Sequence, residues 1–188
     1  MKLLPVTMFG DKILRKKVDK LEEVDMETIE LITNMFDTMH NASGIGLAAN
    51  QVGVNKAIFI VDLSKVEDYE DSKPIVFINP EIIKYSAEKT VFEEGCLSIP
   101  DIRADVERPE SITIKYRDTD MKEQSFDANK LLSRVIQHEY DHLRGILFTD
   151  LVDDDTKKKL KGPLKKIRKR KIDVSYPISE TSDYQLVM

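Results

Sequence analysis

The stretch DANKLLSRVIQHEYDHLRG (127–145) decides how the chain is read. Apolar residues recur at helical spacing through Leu131 and Val135 to the histidines, with Asp127 placed to cap the start and Gly145 to stop the end. Within it, His138 and His142 are four apart, one turn along the same face, so both imidazoles can reach one cation. Glu139 is rotated by about 100° from His138 and can touch water beside such an ion without binding it. Leu131 and Val135 lie seven and three residues before His138 and turn that face inward, against the reading of a surface helix with incidental histidines.

A catalytic metal site needs a third protein ligand. In one H-E-x-x-H protease class a histidine follows three residues after the glycine, and here that position is Phe148. Another class uses a downstream glutamate, and after Gly145 only Glu180 is available. The remaining candidates are His40, which closes an earlier helix, and Cys96 in EEGCLSIP (93–100). A thiolate is the better soft ligand. Two imidazoles, one thiolate and Glu139 as base is not the usual protease set.

The rest of the chain frames this helix. Residues 25–40 read as an amphipathic helix capped by Asp25, with Ile29, Ile32, Phe36 and Met39 on one stripe. Residues 56–63 and 73–80 are β-branched runs expected to be buried strands, separated by an acidic loop. EIIKYS (81–86), EKTVFEE (88–94), SITIKYRD (111–118) and KEQSF (122–126) alternate as shorter antiparallel strands, the last two joined by a turn at RDTD (117–120). Residues 153–170 read as a weaker helix that Gly162-Pro163 should kink or split, and 171–179 as one more strand before a frayed end. Strands gathered around a central helix, without regular strand–helix alternation, favour α+β: antiparallel sheets around the H-E-x-x-H helix, with a C-terminal helical, basic extension. The expected division is a single catalytic unit at 1–150 and the extension at 151–188.

Charge is divided unevenly. Residues 157–171 hold ten basic residues and no acidic one, leaving 19 basic against 34 acidic elsewhere, a net −15. Only this tail makes a polyanion a plausible partner. No stretch approaches the roughly 20 apolar residues of a membrane span, and the first apolar run is too short for a signal peptide and is broken by Pro5. With one cysteine there is no intramolecular disulfide, so a cytoplasmic location is expected. GIGLAA (44–49) matches a dinucleotide fingerprint, with Asp62 as a ribose partner, but a helix precedes it where a strand is needed. Glycines that let the backbone approach a bound peptide account for it better.

Taken together, GIGLAANQ (44–51), EGCLS (94–98) and QHEYDH (137–142), in that order, resemble peptide deformylase over about Leu3 to Asp150. The resemblance implies an α+β fold with antiparallel sheets around the histidine-bearing helix. It implies removal of the N-formyl group from nascent chains that begin with formyl-methionine. By position it makes Cys96, His138 and His142 the metal ligands, Glu139 the base, and the Gln51 side chain and Leu97 N–H the oxyanion donors, with Gly46 meeting the substrate backbone. The metal expected in cells is Fe²⁺, with Zn²⁺, Ni²⁺ or Co²⁺ in purified protein. Asn50 departs from what many members carry there. Ile45, Phe92, Leu131 and Val135 are candidates for the methionine pocket, or else ordinary core. Arg103 is expected to pair with Asp141 in support of the site. The basic segment 157–171, whose Leu160, Leu164 and Ile167 recur at helical spacing, is a candidate ribosome contact or simply a solvated helix; neither membrane nor DNA is expected as a partner. The alternative enzyme is a zinc metallopeptidase that cuts internal bonds.

Overall fold

Asp25 sits in extended backbone and accepts a hydrogen bond from the Thr28 amide, and helix α1 (Met26–Asn41) follows. The computed structural model describes residues 2–186. The buried stripe of α1 is Leu31, Ile32, Met35 and Met39. Ile29, expected on it, is turned out to solvent, because the stripe centres on Leu31 and Met35, and Phe36 lies on its half-buried flank.

The glycine-rich stretch after α1 is not all loop. Strand β1 (Gly46–Ala48) runs antiparallel to β2 (Ile58–Val61), with one 3₁₀ turn at Ala49–Val52 between them. β2 pairs with β3 (Ile75–Tyr85), which joins two of the expected strands into one. A register shift between Ile78 and Glu81 absorbs Pro80, which has no amide for the ladder. Asn79, at φ +50°, fixes this bulge by bonding both the amide and the carbonyl of Leu21. β4 (Lys89–Cys96) and β5 (Ile99–Pro109) form a separate two-stranded hairpin. β6 (Ser111–Arg117) and β7 (Glu123–Asn129) complete a five-stranded antiparallel sheet ordered β1-β2-β3-β6-β7.

β5 lies where no strand was expected, yet Ile102, Ala104, Val106 and Arg108 point inward and Asp101, Arg103, Asp105 and Glu107 outward, an unbroken period of two. β7 also runs past its expected end. Asp127 therefore belongs to the strand and does not cap helix α2 (Lys130–Leu143), which begins from Asn129. Gly145 does stop that region: it adopts φ +75°, and a Cβ there would lie 2.7 Å from the Arg15 carbonyl oxygen.

Helix α3 (Phe148–Leu151) leads to α4 (Asp154–Arg168), capped by Asp153. Gly162-Pro163 does not split α4. Proline removes only one bond of its ladder, and both halves of the helix are docked, since Leu160, Leu164 and Ile167 pack on Val6, Ile102, Val106 and Phe148. Residues 171–178 do not form the expected strand; a single parallel bridge joins Val6 to Ile178. Nor do residues up to 186 fray: the Leu186 amide bonds the Gly53 carbonyl and the Tyr184 ring lies over Gly53. Val187 and Met188 lie outside the described residues.

β2 shows how the core is divided. Ile58 and Ile60 face α1, whereas Phe59 and Val61 face α2. All four are buried, which is why this strand reads as a continuous apolar run. Each such side chain contributes roughly 1.5–3 kcal/mol of transfer free energy. The result is an α+β fold in which α2 presses on β1 and β2 while the β4–β5 hairpin reaches over α2 from the other side.

Candidate metal centre

Cys96 ends β4 where the pairing jumps from Gly95↔Arg103 to Cys96↔Ile99, and this irregularity aims its thiol at α2. Its Sγ lies 3.2 Å from His142 Nε2, and the ligand atoms of Cys96, His138 and His142 all lie within 4.8 Å of one another. The two imidazole rings are 5.0 Å apart and nearly perpendicular. His40, the other candidate, is engaged elsewhere, its Nε2 2.7 Å from Asp62 Oδ2. Asp62 also accepts from the Ser64 amide, so it is a local structural carboxylate rather than a ribose partner.

Behind the histidines is a buried charge network. His138 Nδ1 faces Glu94 Oε2 at 2.9 Å, which leaves Nε2 for the cluster. Arg108 donates to both Glu94 oxygens (2.7 and 3.0 Å) and to Asp141 at 2.6 Å, and Arg134 donates to Glu94 at 3.2 Å. Burial alone raises the Glu94 pKa, but the bonds from His138 and Arg108 outweigh it and hold the carboxyl at about 2. Arg103, expected to serve Asp141, instead lies 3.8 Å from Glu93 on the surface. Strand parity explains the correction: in β5 residue 108 points in and residue 103 points out. Asn50 also has a role, donating to the His142 carbonyl at 2.6 Å.

Glu139 faces Gly46 across the cleft. A Cβ on Gly46 would lie 2.5 Å from Glu139 Oε1 and 2.9 Å from Val135 Cγ1, so only glycine lets the two elements meet. Burial pushes the Glu139 pKa up to about 7, with the His138 charge opposing. Among the described residues, Glu139 Oε2 and His142 Nδ1 are buried without a hydrogen-bond partner. Gln51 is oriented by the Ala48 amide, which donates to its Oε1 at 2.8 Å. Its Nε2 therefore points at Ser98 Oγ (3.2 Å) and Cys96 Sγ (3.4 Å).

These groups open into one cavity of about 890 Å³, lined by Ile45, Gly46, Gln51, Leu97, Leu131 and Val135 beside Cys96, His138 and Glu139. Phe92 is not in that lining. It lies four residues along β4 from Cys96, under the Arg134 guanidinium at 5.1 Å. Sequence reasoning missed Glu94, Arg108 and Arg134, although the alternation of 101–108 carried the signal for Arg108.

A thiol, two imidazoles and a buried carboxylic acid on the floor of an open cleft define a hydrolase-type centre whose donors suit a transition-metal ion. Residues 3–158 match the family described as polypeptide deformylase, and the chain belongs to that family. It is 46% identical over 178 residues to the peptide deformylase of Prosthecochloris aestuarii, covering 95% of each chain. With that of Salinibacter ruber it shares 44% over 188 residues, 96% of each chain. The crystal structure of peptide deformylase from Ehrlichia chaffeensis matches at a TM-score of 0.81 and 34% identity, over 90% of this chain and 97% of that one. The family is metal-dependent, and the Cys96, His138 and His142 group is a site of the kind it needs.

Proposed function

We propose that this chain is a metal-dependent hydrolase that removes the N-formyl group from nascent polypeptides beginning with formyl-methionine, releasing formate. The observation that carries this reading is the meeting of Cys96, His138, Glu139, Gln51 and Leu97 in one open cavity, with His142 beside Cys96 and His138. Cys96, His138 and His142 would hold one divalent ion, Fe²⁺ in cells and Zn²⁺, Ni²⁺ or Co²⁺ after purification, all compatible with a thiolate and two imidazoles. When bound, such an ion supplies Lewis acidity that makes water a nucleophile near neutral pH.

The other residues divide the remaining work. Glu139 takes the proton from the attacking water and returns it to the departing amine. The Gln51 amide and the Leu97 N–H donate to the formyl oxygen as its charge develops, and the Ala48 amide holds Gln51 in place before the reaction begins. Gly46 presents backbone to the substrate, and Ile45, Leu131 and Val135 provide an apolar wall for the methionine side chain. The family assignment does not favour the alternative, a metallopeptidase cutting internal bonds. The test is formate release from formyl-Met-Ala-Ser by anaerobically purified protein, with casein left intact. Casein cleavage without formate release rejects the proposal.

No helix among the described residues is long and apolar enough to cross a membrane. We place the protein in the cytoplasm, where its substrates are made. The ribosome is the proposed partner of α4, which docks Leu160, Leu164 and Ile167 and leaves Lys158, Lys161 and Lys165 exposed on the opposite side. Deleting α4 would strip apolar residues from the core, so charge reversal is the cleaner probe. Replacing those three lysines by glutamate is expected to reduce co-sedimentation with ribosomes at low salt while melting temperature holds. Equal sedimentation of the two proteins removes the ribosome from the proposal.

A further inference from the structure

After α4 the chain does not leave the molecule. Arg170, at φ +54°, bonds the buried Asp11 carboxylate and also Ser179 Oγ at 3.0 Å, while Ser179 Oγ donates to Asp11 at 2.6 Å. Past this clamp, the Val6 amide donates to the Pro177 carbonyl and the Ser179 amide to the Val6 carbonyl, each at 2.9 Å. The arm between the two anchors is therefore held at both ends. Its residues Asp173, Val174, Ser175 and Tyr176 form one wall of the cavity that contains Cys96 and Glu139. The Tyr176 hydroxyl donates to the Leu97 carbonyl at 2.7 Å.

We propose that this arm is a working part of the cleft and that Tyr176 is a positioning residue, fixing the Leu97 backbone so that its N–H points at the reacting oxygen. The inference rests on the reading of Leu97 as an oxyanion donor, and it concerns a segment beyond residues 3–158 that define the family match. The Cys96–Ser98 turn is tied on its other sides by the Gln51 side chain at Ser98 Oγ and by the Phe9 amide at the Ser98 carbonyl (2.9 Å). Tyr176 supplies the bond on the cavity side, at the residue whose direction matters most for a developing negative charge. Burial raises the phenol pKa well above its ordinary value, so the hydroxyl remains a donor at every working pH.

Tyr176→Phe keeps the ring and removes only this bond. In the metal-loaded full chain, kcat for formyl-Met-Ala-Ser is expected to fall about tenfold with KM nearly unchanged, less than the 10²–10³-fold cost of deleting a donor outright. Amide exchange at residues 97 and 98 should quicken by about tenfold, the worth of one neutral hydrogen bond, while exchange in α2 and metal content stay at wild-type levels. The shape of the pH profile should not change. Unchanged turnover and exchange reject the role, and so does faster exchange throughout the chain, which makes Tyr176 a general structural residue. If the wild-type protein releases no formate, the deformylase reading fails separately, and the exchange data alone decide whether Tyr176 holds Leu97.

Discussion

Glu139→Gln is expected to reduce formate release by about 10²–10⁴-fold, the usual worth of a positioned acid–base group, while metal content stays at the wild-type level. Glutamine keeps the shape of the side chain, which matters because Glu139 packs so close to Gly46 that a Cβ there would lie 2.5 Å from its Oε1. It loses only the capacity to accept and release a proton. Burial already disfavours the charged form of Glu139, so a neutral amide imposes no new desolvation cost and the fold should be as stable or more so. Formate assay, metal analysis and a thermal melt on one preparation check all three statements. Turnover within tenfold of wild type would remove Glu139 from the proton-transfer role.

The largest effect on stability should come from Arg108→Ala. Its guanidinium is shared between Glu94 and Asp141, all three side chains are almost inaccessible to water, and its removal leaves Asp141 with only a long contact to Arg144 and Glu94 with only Arg134 and His138. Breaking a buried pair by deleting one partner costs about 3–5 kcal/mol, a fall in melting temperature on the order of 10 °C for a chain this long. Metal retention should weaken as well, because Glu94 orients His138 and such outer partners are worth about 10–100-fold in affinity. Arg103→Ala is the matched control: its contact with Glu93 is long and exposed, so stability should change by less than about 0.5 kcal/mol. Urea unfolding of the two variants beside wild type decides the matter. Coincident curves would show that the network contributes nothing.

The contrast between these two arginines also marks where sequence reading succeeds. Local periodicity located what depends on it: the i, i+4 histidines with Glu139 on α2, the Asp25 cap, and the β-branched core strands. The cysteine was singled out by the chemistry of the missing ligand. What failed depends on long-range pairing. β5 was hidden by a proline near each end, by charged residues at alternate outward positions, and by Arg108, an inward charge on the other face neutralised by residues 14 and 33 positions away. Asp127 reads as a cap until β6 claims it for a strand. Pro163 reads as a breaker until the docking of α4 is known. Nothing in 171–179 announces that Tyr176 meets Leu97, because that contact spans 79 residues and follows from where the Asp11–Arg170–Ser179 clamp places the arm.

The bridge from Val6 to Ile178 has a temporal consequence. Translation makes residue 6 well before residue 178, and a contact this distant in sequence forms only after the long loop between them closes. A growing copy therefore lacks the wall that residues 173–176 give the cavity until the chain has been made as far as residue 178.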